Sequence, residues 1–201
     1  KPMGIKDFGE EDDTSLTYKV DNNFYYNPNE NFKVPQWQNG YSPLGSEKHP
    51  LEDGFFPEQP AKWTGNGSRL SQPSMNDWYE TVKVNYGISP EGKKDFDELP
   101  DGFENEDYIK HFQFWKNKKT PNSWLKFRDI ALFWLDKGVD GFRYDMAEMV
   151  PVEFWSFMNS SIKMKNPDAF LLAEVYNPSL YRDYIKKGTM DYLYDKVQLY
   201  D

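Results

Sequence analysis

The sequence predicts an α/β fold built on parallel strands, and three observations predict it. Residues 122 to 201 alternate helical and strand signals three times over. The strand signals are short and apolar, as expected of strands covered on both faces. The stretches between them leave room for one crossover helix each. Two architectures use that order, an open doubly wound sheet and a closed eight-fold barrel, and three strands do not choose between them.

The elements follow in order. Ser123 suits an N-cap for a helix running to Lys137, with Leu125, Phe127, Ile130, Ala131, Phe133, Trp134 and Leu135 as its apolar positions. Gly138 stands where a left-handed residue closes a helix. Val139 to Met146 reads as a strand. A second helix opens at Pro151, carries Phe154, Trp155, Met158 and Ile162 toward one side, and stops before Asn166-Pro167. Ala169 to Val175 is a nearly unbroken apolar run with one carboxylate near its end. A third helix from Pro178 ends at Lys186-Lys187-Gly188, with cations at the negative end of its dipole, and Met190 to Tyr194 is a further strand.

Residues 1 to 121 are written differently, rich in Gly, Pro, Asn and Asp. Short strand signals at Ser15 to Val20, Asn23 to Tyr26 and Glu80 to Asn85 are separated by turn clusters at Asn27-Pro28-Asn29, Asn39-Gly40, Gly65-Asn66-Gly67 and Pro100-Asp101-Gly102. The expectation is a loop-rich excursion over residues 1 to 121, followed by a regular α/β part over 122 to 201.

Composition narrows the partners. With 33 acidic against 24 basic residues the formal charge is −9, which disfavours nucleic acid and anionic membrane surfaces. No apolar stretch approaches the ~20 residues of a membrane span. There are no cysteines, and two histidines, His49 and His111, make a histidine-based zinc site a poor expectation. The chain opens on Lys1-Pro2 rather than Met, so the expectation is that something upstream has been removed. A secreted, periplasmic or cell-surface location is favoured on that basis. Aromatic residues make up 18% of the chain, enough to furnish stacking platforms for flat apolar faces such as those of sugars as well as a core.

Strand alternation locates the chemistry. In Asp140-Gly141-Phe142-Arg143-Tyr144-Asp145 one face carries Gly141, Arg143 and Asp145. In the next strand Phe170, Leu172 and Glu174 share a face, with the carboxylate at the C-terminal end where parallel barrels hold their catalytic groups. Two carboxylates at one mouth meet the requirement of retaining glycoside hydrolysis, one attacking the anomeric carbon and the other protonating the leaving oxygen. Arg143 is placed to hold Asp145 ionised, the state a nucleophile needs, while Glu174 has Leu172, Ala173 and Val175 as chain neighbours, which suits an acid. The competing structural reading is a buried Arg–Asp pair with an unrelated glutamate at a strand end.

These residues carry a resemblance. Gly141-Phe142-Arg143-Tyr144-Asp145 resembles the G-x-R-x-D segment on the fourth barrel strand of the α-amylase family, and Leu172-Ala173-Glu174 resembles that family's fifth-strand segment. The Trp-Leu-Asp-Lys-Gly-Val-Asp lead-in matches as well, and the stretch from Asp77-Trp78-Tyr79-Glu80-Thr81 through Asn85-Tyr86-Gly87 looks like a domain-B segment of bacterial members. The resemblance implies a partial (β/α)8 barrel with an irregular domain-B-like excursion, Asp145 as nucleophile, Glu174 as acid/base and Arg143 as the residue that orients the nucleophile. It implies α-1,4-glucans such as starch, glycogen or maltooligosaccharides as substrates. It also implies that the family's third-strand segment and seventh-strand His-Asp pair lie outside this chain, so that the segment alone is expected to be inactive. Where many relatives have Lys-His after the nucleophile this chain has Glu148-Met149, which removes a contact that often accompanies calcium. Calcium is therefore an open cofactor, although hard oxygen ligands abound in the first half.

Weaker candidates remain. Trp63, Trp78, Tyr86 and Tyr176 are placed as sugar-stacking rings against core or rim packing, and Glu148 as a substrate contact against simple solvation. His111 is expected to be a surface or packing residue, Glu10 to Asp13 a solvated turn rather than a metal loop, and Asn66-Gly67-Ser68 a chance glycosylation pattern. Three functions compete: hydrolysis of α-glucans or transglycosylation on the same residues, an inactive amylase-like glucan-binding scaffold, and a phosphate-binding α/β domain. The last is weakest, because no Gly-rich loop joins a strand to a helix.

Overall fold

A computed structural model describes residues 6–35 and 58–195. The turn at Asn39-Gly40, His49 and the Lys1-Pro2 start lie outside the described residues. The chain forms two compact units, dividing between Lys93 and Lys94. Compactness thus divides the chain 28 residues before the change in residue pattern near 121, counting from 93. The reason is packing: the helix Tyr108–Trp115, α1, sets His111 and Trp115 against Ser156 of a later helix, so the segment before residue 121 shares the second unit's core.

The first unit has little regular ladder. Strand β1, Tyr26–Asn27, pairs antiparallel with β2, Ala61–Lys62, and single bridges join Phe24 to Val84 and Thr64 to Val82. Side chains supply what a ladder would. The Asp12 carboxylate accepts the backbone N–H groups of Asn23 at 2.8 Å and Phe24 at 3.1 Å, and the Tyr26 hydroxyl at 2.9 Å. Fully buried Asn85 donates to the carbonyls of Lys19 and Asn22, both at 2.9 Å, and accepts from Gly87 N–H at 2.8 Å. A small aromatic core sits beneath, with Tyr25 stacked on Trp63 at 4.7 Å. The expected strand Ser15 to Val20 does not form. Asp13 binds the N–H and hydroxyl of Ser15, and this local side-chain turn competes with strand backbone.

The second unit is the α/β part. After α1 come α2, Asn122–Asp136; β3, Gly141–Tyr144; α3, Val152–Lys165; β4, Phe170–Glu174; α4, Tyr181–Lys186; and β5, Tyr192–Tyr194. The three strands form one parallel sheet in the order β3-β4-β5. Gly138 closes α2 with φ 90°, as its position predicts. Ser123 is not the N-cap. The helix begins at Asn122 behind extended Pro121, and Ser123 is buried in its first turn. Of the predicted apolar stripe of α2 only Ala131 is buried, beside Trp124, which the stripe did not include, while Leu125, Ile130, Phe133 and Trp134 remain exposed.

Helix α3 is the centre of this core. Its expected apolar residues Phe154, Trp155, Met158 and Ile162 are buried, and so are Ser156, Asn159, Ser160 and Ser161 on the rest of its surface. Those polar groups are satisfied. Ser156 Oγ meets His111 Nδ1 at 2.7 Å and accepts from Trp115 Nε1 at 2.8 Å, and Asn159 links the Tyr144 hydroxyl to the Gly188 carbonyl, each at 2.8 Å. Trp124 lies among Trp115, Phe157 and Phe154 at ring distances of 5.4, 5.6 and 5.7 Å. Aromatic pairs of this kind are worth about 0.5–1.5 kcal/mol each beyond their burial.

Candidate active site

Strands β3 and β4 bring their final residues to the same end of the sheet. The parallel register pairs Arg143 with Leu172 and Tyr144 with Ala173, so Asp145 and Glu174 come next on one level and one face. Gly141 makes the approach possible, because a Cβ there would collide with the carbonyl oxygen of Phe170.

Arg143 joins the two carboxylates. Its Nη1 donates to Asp145 Oδ1, and its Nη2 donates to Glu174 Oε2 at 3.2 Å and to the Tyr194 hydroxyl. The guanidinium also stands 5.3 Å from the centre of the Tyr194 ring. The carboxylates differ in setting: the Asp145 side chain is 72% exposed and that of Glu174 only 2%. An open, arginine-bound carboxylate beside a buried one is an asymmetric pair.

The apolar surroundings expected of Glu174 are not what its carboxylate meets. Ala173 and Val175 are fully buried on the opposite face of β4, as strand alternation demands. The carboxylate itself is reached by Arg143, by the Met146 N–H at 3.0 Å and by the Tyr176 hydroxyl. These donors offset the cost of burying a carboxylate. Met146 holds φ 46° and ψ 42°, a left-handed conformation rarely taken by a non-glycine residue, and its amide meets Glu174 directly after the end of β3.

The two loops that follow are tied as well. Ala147–Met149 forms a single 3-10 turn, from which Glu148 Oε2 accepts the N–H groups of Tyr176 and Asn177, both at 2.9 Å. Glu148 is thus neither free in solvent nor open to a substrate through that oxygen. Tyr176 has its hydroxyl on Glu174.

Asp145, Glu174, Arg143, Tyr176 and Glu148 therefore gather in the second unit. Trp63, Trp78 and Tyr86 belong to the first. Trp63 is committed to that unit's core, stacked on Tyr25, donating from Nε1 to Asn27 Oδ1 at 3.1 Å and covered by the Arg69 guanidinium at 4.4 Å. Trp78 is 40% exposed. Tyr86 is half-buried, and desolvation pushes its phenol well above the ordinary value. His111 is a packing residue rather than a surface one, with its ring between Ser156 and the Phe103 carbonyl, and burial holds its pKa below 6.5. The Glu10 to Asp13 turn is not simply solvated either, since Asp12 pins the first unit's backbone. The Asn66 side chain is engaged with Thr64 and Trp78. Among the described residues no three His, Asp or Glu side chains converge to hold a metal ion.

The sequence reading passed over Tyr194 and the Met146 amide. Tyr194 had a signal, since strand parity places it on the face of Glu174, its register partner. Met146 had none, because nothing in its side chain announces a left-handed backbone.

A parallel α/β unit with two carboxylates and an arginine at adjacent strand ends defines a class before it defines a protein. No family model matches the chain. Curated proteins do. It is 34% identical over 76 residues to an α-1,4-glucan:maltose-1-phosphate maltosyltransferase of Burkholderia pseudomallei, covering 37% of this chain and 7% of the relative. It is 32% identical over 124 residues to the enzyme of that name from Chlorobaculum tepidum, covering 61% of this chain and 17% of the relative. It is 39% identical over 49 residues to neopullulanase 2 of Thermoactinomyces vulgaris, covering 24% of this chain and 8% of the relative. The chain thus matches 7% to 17% of the length of these three proteins. These partial matches to α-glucan-acting enzymes support the resemblance to the α-amylase family.

Proposed function

We propose that the full-length protein is a retaining enzyme acting on α-1,4-glucosidic bonds, with Asp145 as nucleophile, Glu174 as acid/base and Arg143 as the residue that orients the nucleophile. One observation carries the reading: a single guanidinium touches both carboxylates at the ends of adjacent parallel strands. Carboxylates bridged in this way are near neighbours. That suits the retaining geometry of about 5–5.5 Å better than the inverting one, which leaves about 6.5–9.5 Å for a water.

In this reaction Asp145 attacks the anomeric carbon as the glycosidic C–O bond breaks, and the proton of Glu174 goes to the departing oxygen. Glu174, now a carboxylate, then takes a proton from an incoming hydroxyl as its oxygen displaces Asp145. Exposure of Asp145 leaves it reachable by a substrate, while the donors around Glu174 fix its direction. The parallel sheet supports a (β/α)8 barrel as the full architecture, as do Phe170 and Tyr192, both exposed on the carboxylate face.

The incoming hydroxyl can belong to water or to a sugar. The names of the maltosyltransferase relatives favour a sugar acceptor, and neopullulanase keeps hydrolysis as the second reading. To separate them, full-length protein is given maltoheptaose, and separately maltose 1-phosphate with an α-1,4-glucan. Transfer lengthens the acceptor, whereas hydrolysis yields only shorter chains and reducing ends. Asp145→Asn and Glu174→Gln should each lower either activity by about 10²–10⁴-fold. Wild-type activity in both variants would end the assignment.

A further inference from the structure

The carboxylate of Glu148 lies outside the pair that does the proposed chemistry, yet it is not idle. It sits one 3-10 turn beyond the end of β3, and its Oε2 accepts two successive backbone N–H groups, those of Tyr176 and Asn177, both at 2.9 Å, in the loop that follows β4. That loop begins directly behind Glu174, and Tyr176 reaches back to place its hydroxyl on Glu174 Oε1. The exchange is reciprocal. Glu174, at the end of β4, accepts the Met146 N–H from the chain that follows β3. Glu148, in the chain that follows β3, accepts the N–H groups that follow β4. Behind Glu148 its own backbone is held, since the Tyr184 hydroxyl meets the carbonyls of Glu148 at 3.0 Å and Val150 at 2.7 Å.

We propose that Glu148 is a positioning residue for the acid/base: its carboxylate clamps the Tyr176-Asn177 backbone so that the Tyr176 hydroxyl fixes Glu174 Oε1. The clamp rests on the functional reading above for its consequence, but the backbone contact stands apart from that reading and is measured apart from it. Two N–H donors on one oxygen need an acceptor and not a charge. A glutamine in this position keeps an acceptor oxygen on the same stem; an alanine keeps neither.

The test uses the full-length protein with Glu148→Ala and Glu148→Gln, thermal melting as the control for folding, and two donors. One is a maltooligosaccharide, whose sugar leaving group needs a proton from Glu174. The other is α-maltosyl fluoride, whose leaving group does not. The clamp predicts that Glu148→Ala lowers kcat on the maltooligosaccharide by about 10- to 100-fold with KM little changed, a small displacement of a catalytic group costing on the order of 10²-fold. In the first-turnover burst of fluoride release, which reads glycosylation alone and needs no proton from Glu174, the loss stays within about threefold, and Glu148→Gln restores most of the maltooligosaccharide rate. Amide hydrogen exchange at Tyr176 and Asn177 speeds up in Glu148→Ala and stays slow in Glu148→Gln. A loss in the fluoride burst equal to that on the maltooligosaccharide, or a glutamine variant as poor as the alanine one, would overturn the clamp and return Glu148 to direct substrate contact. Unchanged exchange in the alanine variant would overturn it at the backbone. If instead Glu174→Gln retains wild-type activity on the maltooligosaccharide, the functional reading is what fails, and the exchange result still decides whether Glu148 holds the loop.

Discussion

In residues 6 to 93 the regular ladder among the described residues amounts to two strands of two residues each, and side chains such as Asp12 and Asn85 take over much of the hydrogen bonding of the backbone. In residues 94 to 195 a three-stranded parallel sheet and four helices satisfy the backbone, and side chains are left to pack or to do chemistry. The difference teaches where each unit is vulnerable. The second fails when its apolar interior is emptied, and the first when a single polar acceptor is removed.

The largest effect falls on the interior of the second unit. Trp124 is fully buried among the rings of Phe96, Trp115, Phe154 and Phe157, so Trp124→Ala should cost about 3–5 kcal/mol, read as a fall in the urea midpoint of the second unit. A loss below about 1 kcal/mol would mean that the unit does not rely on this cluster. Next comes the polar pin of the first unit. Asp12→Ala strands two N–H groups and a hydroxyl, a loss of about 1–3 kcal/mol for donors left unsatisfied. A silent Asp12→Ala would break the contrast between the units.

A smaller effect depends on pH. Burial holds the His111 pKa below its ordinary 6.5. As pH falls below about 6.5, the unfolded chain takes up a proton that the folded chain refuses, so stability present at pH 7 is lost on acidification toward the folded pKa. Melting temperatures at pH 7.5 and 5.5 should therefore differ more for the wild type than for His111→Gln. Identical slopes would remove His111 from the account of the core.

How much was legible follows from the same contrast. The second unit was readable because its grammar is periodic. Gly138 at a helix end, proline at Pro151, and the parity of Arg143, Asp145 and Glu174 each translate into geometry by one rule. What escaped there depends on backbone conformation or on partners distant in sequence: the left-handed Met146, the phenol of Tyr194 on Arg143, and Glu148 turned onto a backbone 28 residues away. Apolar chain neighbours suggested a dry Glu174, but alternation sends Ala173 and Val175 to the other face. In the first unit turn residues announced loops without saying which side chain would hold which amide. Asp12 therefore read as part of a charge run rather than as an acceptor of two amides.

The central claim is that Asp145 is the group to which the sugar becomes bonded. The most direct measurement incubates the full-length Glu174→Gln variant with α-maltosyl fluoride, whose departure needs no acid. Proteolysis and mass spectrometry then locate any sugar left on the protein. With glycosylation preserved and the base needed for its release removed, a maltosyl adduct should accumulate on the peptide containing Asp145. Turnover of the fluoride with the adduct on another carboxylate would contradict the account, as would turnover by Asp145→Asn at the wild-type rate.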